Sequence, residues 1–557
     1  MRNVLFLVAS CCLMTACDLE DRLIAKQEEK YNESFKEVFG NIDPEHTWSM
    51  VENNTVAVNL DEASRVKIYA KMDRTYYLVG DYENVSGSKE LSYDAPRGCE
   101  DILVTVNGAP LLKNGSRAIL CSNDPSKIVY ADNSTDEHVR YHYYTYSQIK
   151  AFHGDVGHLP ENEPNDSKIK KDYVLVSEGR TYTFSPTYWN AINDHKFGLF
   201  YYTNFDAKEY VQIPFYQNKG DEGEHNELQY LNPSTGNWVS LKEDYAYHEL
   251  FSVIGAPKYE DDVEMLRAQH FHINIPEKTI FGFYVETSDG STFFSDSRLN
   301  STVVGGNPDF SAFGHIEIDG FTYIVVEDMD YIKNPSPSTE PDYNDFVFTM
   351  KGIHENINTT EPISYLYATE DLGGTDDFDF NDVIFSVSHV SGQPNATVKL
   401  MAAGGILPAE IWFEDNNSGV STKVGGKEIH DAFGVEAATM VNTTSITKDF
   451  VTLGEVEVGE NWSHLAFTNA GNGFKVKVIK KNVTLEVGTP GANNGEAPQM
   501  LILNRDWLWP TERTRISTAY PDFDQWGANY LDYLWVNNWD SNKVVNRDLS
   551  DEYPHAH

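Results

Sequence analysis

The sequence predicts an all-β fold, with several β-sandwich-like domains in series behind an N-terminal leader and a short helical tether. Three observations carry this. Short runs rich in β-branched and aromatic residues, such as Val66-Lys-Ile-Tyr-Ala70, Tyr76-Tyr-Leu-Val79 and Ile102-Leu-Val-Thr-Val106, recur between Asp, Gly, Asn and Pro. Convincing amphipathic helices are scarce after residue 40. At 557 residues the chain is too long for one hydrophobic core, so three or so folded units are expected after the tether.

The leader comes first. Arg2 supplies a positive start, Val4 to Met14 is an apolar stretch too short to span a bilayer, and Thr15-Ala16-Cys17 places small residues before a cysteine. These are the marks of a lipoprotein signal peptide over residues 1–16, with Cys17 acylated. Val8-Ala-Ser-Cys11 fits the cleavage pattern slightly better, but cutting there leaves too short an apolar core. A plain secretory signal cut without lipid is the alternative. Residues 17–50 then form the tether. Leu23, Ile24, Tyr31, Phe35, Val38 and Phe39 sit at loose helical spacing, and Gly40 is a stop.

Residues 51–165 read as an N-terminal β-sandwich of immunoglobulin-like size, closed by a turn-rich linker from about Gly154 to Asp166. Tyr173-Val-Leu-Val176, Phe200-Tyr-Tyr-Thr203, Ile280-Phe-Gly-Phe-Tyr-Val285 and two acidic hairpins assign 166–390 to a second β domain. A third occupies 391–557, from near Val398 to a Trp-rich end.

The two acidic hairpins repeat one another. Tyr323-Ile-Val-Val-Glu327-Asp328 leads to Asp342-Tyr-Asn344-Asp345-Phe-Val-Phe348, and Tyr365-Leu-Tyr-Ala-Thr-Glu370-Asp371 leads to Asp379-Phe-Asn381-Asp382-Val-Ile-Phe385. Each is a strand, an acidic loop and a strand. Carboxylates and a carboxamide packed this tightly repel unless a cation sits among them, and hard oxygen donors suit Ca²⁺. The second loop, with Gly373 and Gly374 before Asp376 and Asp377, resembles the start of a calcium loop without the EF-hand spacing. The first carries Asn334-Pro-Ser-Pro-Ser instead of the Gly-Gly turn. Expected ligands are Asp377, Asp379, Asn381 and Asp382 with Glu370 or Asp371, and Asp342, Asn344 and Asp345 with Glu327 or Asp328. The plainer alternative is a pair of solvated loops with Asx turns.

These hairpins belong to a longer series: Val398-Lys-Leu-Met-Ala-Ala-Gly404-Gly405-Ile-Leu-Pro408, His430-Asp-Ala-Phe433-Gly434-Val435 and Trp507-Leu-Trp509-Pro510-Thr-Glu512. In this order the motifs resemble the LruC-domain cell-surface lipoproteins of Bacteroidota type. Upstream, Phe281-Gly-Phe-Tyr-Val-Glu and Ser295-Asp296-Ser-Arg-Leu-Asn300 look like the acidic-loop domain of unknown function that accompanies that family. The resemblance covers about half the chain and implies a β-rich cell-envelope lipoprotein of unassigned activity. It carries over no catalytic residues. In such lipoproteins, acids just after the lipidated cysteine, here Asp18-Leu-Glu20-Asp21, often accompany export to the outer face of the outer membrane.

Composition narrows the partners. Forty-three basic against 85 acidic residues give a formal charge of −42, which excludes nucleic acid and an anionic membrane surface as probable binding targets and suits a chain that gathers divalent cations. Of five cysteines, Cys11 and Cys12 leave with the signal and Cys17 takes lipid, so Cys99 and Cys121 remain as a candidate disulfide. Two separate buried thiols are the alternative. Five of the ten tryptophans fall at the C-terminal end; Trp526 and Trp535 are a candidate ligand platform, against the plainer expectation of a packing cluster. His153 with His158 and His270 with His272 lack zinc-motif spacing, and no nucleophile elbow, His-Glu-x-x-His or phosphate loop occurs. Two function classes remain. One is a non-catalytic, calcium-stabilised outer-membrane lipoprotein that binds a glycan or protein partner; the other is a secreted polysaccharide hydrolase using carboxylate pairs.

Overall fold

Strands dominate the described residues and helices are few, in several separate sheets, which is the all-β, multi-domain class expected. The structure is a computed structural model. It describes residues 24–72, 75–99, 101–111, 170–171, 173–189, 195–219, 227–232, 237–240, 271–303, 307, 310–318, 321–327, 330, 346–351, 356–371, 377–415, 418–465, 473–480, 483–487 and 495–545. The chain forms two compact units: one takes the described residues of Met1–Met72, Tyr77–Ile102 and Thr360–His557, the other those of Asp73–Tyr76 and Leu103–Thr359.

In the first unit an antiparallel five-stranded sheet runs in the order Val451–Glu457, Asn395–Ala403, Val383–His389, Ser364–Thr369, Met500–Asn504. Ser364–Thr369 is buried at every position, because a central strand with both faces covered needs no alternation. A four-stranded sheet, Val420–Lys423, Ala409–Asp415, Gly473–Lys480, Val483–Val487, does alternate: Ala409, Ile411 and Phe413 point inward while Glu410 and Trp412 do not. Val51–Met72 and the following strand, Thr75–Pro96, are neighbours in hydrogen bonding. Just before them Met50 N donates to Ile502 O at 2.7 Å and Ile502 N to Trp48 O at 3.0 Å, which ties the N-terminal segment to the C-terminal strand.

A helix covers residues 24–39. The sequence reads it as a tether, yet it also contributes to the core. Tyr31, Phe35 and Phe39, one helical turn apart, are buried, and Tyr31 Oη donates to Pro498 O at 2.7 Å.

The second unit is a β-sandwich. One sheet runs Phe271–Ile275, Arg180–Trp189, Phe346–Lys351, Phe321–Val326, Phe313–Ile318, Lys170–Lys171. The other includes Asn237–Ser240, Glu227–Asn232, Glu209–Lys219, His195–Asn204, Ile280–Glu286 and Val174–Val176 in that order. Phe184, Phe346 and Phe348 from the first and Phe197, Phe215 and Phe283 from the second fill one aromatic core.

In both repeats the two strands pair antiparallel. Phe321–Val326 pairs with Phe346–Lys351, ending at Val326↔Phe346, and Ser364–Thr369 pairs with Val383–His389, ending at Thr369↔Val383. Their grouping differs from the serial division of 51–165, 166–390 and 391–557. The second hairpin bonds to Asn395–Ala403 on one side and Met500–Asn504 on the other, so it joins the C-terminal strands, and residues 51–72 and 77–96 belong to that unit as well. Likeness between two hairpins says what each forms, not which sheet it enters.

Candidate metal centre

Between Ser364–Thr369 and Val383–His389 the structure describes residues 370, 371 and 377–382. At the neck of this hairpin Thr369 Oγ1 donates to Val383 O at 2.9 Å, Asp382 N to Thr369 O at 3.1 Å and Asp371 N to Asp382 Oδ2 at 2.7 Å. Beyond the neck the side chains sort by chemistry. Phe378 lies with its ring centroid 5.4 Å from Tyr31, 5.4 Å from Phe35 and 5.5 Å from Phe39, and Phe380 lies 6.2 Å from Phe523. To place both rings, the backbone adopts φ +52° at Phe378 and +53° at Phe380. This left-handed region costs a bulky L-residue on the order of 1–2 kcal/mol. Burial of two rings offsets that cost and pins the acids that alternate with them.

Glu370, Asp377 and Asp379 each offer an oxygen within 4.8 Å of the others. Glu370 and Asp379 are both 2% exposed, so this is not a solvated turn. Glu370 Oε1 accepts from Phe380 N at 2.7 Å, and Asp379 accepts from Asn381 N at 3.2 Å and Arg513 N at 2.7 Å. Asp371 and Asp382 face the bare α-carbon of Gly405, where a Cβ would stand 3.2 Å from Asp371 Oδ2 and from Asp382 Oδ1. At Gly404 a Cβ would fall 2.3 Å from Asn381 Oδ1. The two glycines therefore form the floor of an oxygen-lined cradle.

The electrostatics follow from crowding in a dry place. Burial, then Asp382 and Asp379, pushes the Glu370 carboxyl well above its ordinary range, against the lowering effect of the Phe380 amide. Burial, then Asp377 and Glu512, pushes Asp379 up to about 8. Asp382 rises through burial, then Asp371 and Asp379. Carboxylates so placed either hold protons or share a cation. The donors are all oxygen, and their crowding within one loop fits a hard ion with six to eight ligands at about 2.3–2.6 Å. The His430 ring, beside Gly405, is engaged elsewhere: Nδ1 meets Glu428 Oε1 at 2.6 Å and Nε2 meets Gly405 O at 3.2 Å.

Of the expected ligands, Glu370, Asp371, Asp377, Asp379, Asn381 and Asp382 gather in this one loop. Asn381 is fully buried, and its Nδ2 donates to Pro510 O at 2.9 Å. In the first loop Glu327 is buried at the neck, at the position Glu370 takes in the second, while Asp328, Asp342, Asn344 and Asp345 lie outside the described residues. So do Cys17 and Cys121. The Cys99 thiol donates to Asp101 O at 3.3 Å.

The tryptophan platform is overturned. Trp526 is 0% and Trp535 1% exposed, and the two stack on one another with centroids 4.9 Å apart. Their faces are spent on each other, and on Trp48, Phe523 and Tyr520 around them, so they form a packing cluster. Sequence reasoning also missed Glu512 as a member of the acidic site. In the sequence Glu512 stands only as the last residue of the Trp507-to-Glu512 motif. Burial and Asp377 raise its pKa, with Arg513 opposing.

The class that fold and site define is an all-β protein with a buried, oxygen-lined hairpin loop. No protein-family model matches the chain, and no curated protein matches it. Among solved structures it is similar to a candidate lipoprotein from Bacteroides ovatus, with 12% identity over 48% of this chain and 90% of that one, at a TM-score of 0.21. The resemblance to the LruC-domain lipoproteins thus rests on the motifs alone. No described helix is long and apolar enough to cross a membrane.

Proposed function

We propose that this chain is a non-catalytic lipoprotein of the outer membrane, held by lipid at Cys17 and displayed at the cell surface, whose fold is stabilised by Ca²⁺ in the loop 370–382. A glycan or protein is its partner. The observation that carries the calcium reading is the trio Glu370, Asp377 and Asp379, with oxygens within 4.8 Å of one another and two of the three residues 2% exposed. The same burial counts against polysaccharide hydrolysis there, since a sugar ring must reach both carboxylates of a catalytic pair. Anchoring and display rest on the leader and the acids after Cys17.

Titration calorimetry on the full mature chain in detergent tests the metal. Extracellular modules bind Ca²⁺ at about 10⁻⁴ to 10⁻³ M. At tenfold excess over the dissociation constant, binding adds about 1.4 kcal/mol of stability. The expected outcome is saturable binding and a melt raised more by Ca²⁺ than by Mg²⁺, which holds its waters and demands a strict octahedron. Asp379→Ala with Asp382→Ala should remove most of that difference. Absence of saturable binding, with a melt indifferent to EDTA, would end the calcium reading.

A further inference from the structure

We propose that Glu512 is a further ligand of the ion in loop 370–382, and that the ion thereby clasps the C-terminal segment, residues 505–545, to the hairpin. This rests on the calcium reading above and extends it to a part of the chain that sequence did not connect with the loop.

The backbone already runs along the loop at this point. Asn381 Nδ2 donates to Pro510 O at 2.9 Å, Arg513 N to Asp379 Oδ2 at 2.7 Å and Ile516 N to Phe378 O at 2.9 Å. Glu512 N donates to Thr443 O at 3.1 Å, so the glutamate is fixed from its other side as well. Its carboxylate nevertheless has an Oε2 that is buried and accepts no hydrogen bond. The guanidinium next to it does not supply one: Arg513 Nε is 3.8 Å from Oε1, and the Arg513 side chain is 75% exposed. A second orphan belongs to the loop itself. Asn381 is 0% exposed, and its Oδ1, turned toward the bare α-carbon of Gly404, also lacks a hydrogen bond. Buried acceptors left without donors are costly, and here two of them border a cluster whose other side chains are carboxylates. A cation satisfies all of them together; a donor side chain would satisfy one.

The consequence is a conditional clasp. Without the ion, the charges of Glu512, Asp377 and Asp379 oppose one another across the seam between residues 510–516 and 378–381, and with it they share one positive centre. The buried rings of Trp507, Trp509, Trp526 and Trp535 all lie on the segment so held.

Calcium titration of the full mature chain and of Glu512→Gln, with trypsin digestion in parallel, tests this. The expected result is a dissociation constant at least tenfold weaker in the variant. In EDTA its melt should equal or exceed that of the wild type, because one repelling charge is gone. Arg513 and Arg515 are exposed, and cutting after them should be slow for the wild type in calcium and fast in EDTA. If Glu512→Gln does not fold, Glu512→Asp keeps the charge, withdraws the oxygen by one methylene, and should show the weaker affinity in a folded chain. A wild type that binds calcium with a variant of unchanged affinity overturns the clasp and leaves the calcium reading standing. A variant less stable in EDTA with unchanged affinity marks Glu512 as structural only and also overturns it. A wild type that binds no calcium defeats the reading beneath.

Discussion

Phe378→Ala should be among the most damaging single changes in the first unit. The ring is 0% exposed and packs against three aromatic rings of the helix over residues 24–39, Tyr31, Phe35 and Phe39, at 5.4–5.5 Å and all in edge-on geometry. Removing a fully buried Phe typically costs about 3–5 kcal/mol, and the edge contacts place this one toward the upper end. The same change should loosen calcium, since the ring anchors the turn that carries Asp377 and Asp379. Phe378→Gly separates packing from backbone strain. At an ordinary position glycine is less stable than alanine by roughly 0.5–1 kcal/mol. At φ +52° the order should reverse, because alanine keeps the left-handed cost of about 1–2 kcal/mol that glycine escapes. Urea unfolding followed by tryptophan fluorescence gives both midpoints and slopes. A Phe378→Gly chain clearly less stable than Phe378→Ala would refute the strain, and a loss under about 1 kcal/mol for Phe378→Ala would refute the anchoring.

Gly404→Ala should destabilise by about 1–3 kcal/mol, measured by the same unfolding, because the new methyl meets Asn381 Oδ1 at 2.3 Å and Asn381 O at 2.7 Å. His46 gives a pH dependence. Trp48 N donates to its Nδ1 at 2.8 Å and Trp526 O is 3.0 Å from Nε2, so the neutral ring is satisfied and a second ring proton would oppose an amide N–H. Burial, partly opposed by the Trp526 carbonyl, lowers its pKa to about 3. Since the unfolded ring titrates near 6.5, the unfolded state takes up the proton first, and this stability is present above about 6.5 and lost as pH falls toward 3. The difference in stability between wild type and His46→Gln across that window should shrink with acid; a constant difference would exclude the histidine as its source. Mass spectrometry of the mature N-terminus should find acyl chains on Cys17, and lipid on Cys11 or an unmodified soluble chain would remove the anchor.

The strands were legible because β-branched and aromatic runs between turn formers need only local chemistry to be recognised, and the acidic loop was legible because its repeat brought like charges within a few residues. What was not legible depended on partners far along the chain. Glu512 follows Asp382 by some 130 residues, and nothing in its neighbourhood marks it as facing Asp377. Tyr31, Phe35 and Phe39 announced a helix but not that Phe378 would fill the space between them. Trp526 and Trp535 have the composition of a sugar platform and the burial of a core, and composition alone does not separate the two. The grouping into two units was not legible for the same reason, since Val51–Met72 carries no local sign that its unit includes residues 360–557.

These distant contacts also explain why so many acids can be buried in one loop. A hairpin that points several carboxylates inward and holds two phenylalanines at positive φ has no reason to form alone. The helix over residues 24–39 supplies the apolar surface that captures Phe378, and the stretch Pro510–Ile516 supplies backbone donors at Asp379 and Phe378. Strain and repulsion in the loop are therefore balanced by pieces from both ends of the chain. Given the proposed ion, removing it withdraws the one attraction that acts on all the carboxylates at once, while the aromatic contacts remain. The first unit should then lose the hold on Pro510–Ile516 before it loses the hold on the helix, so calcium depletion should speed cutting after the already exposed Arg513 and Arg515 while Tyr31 and Phe35 stay buried.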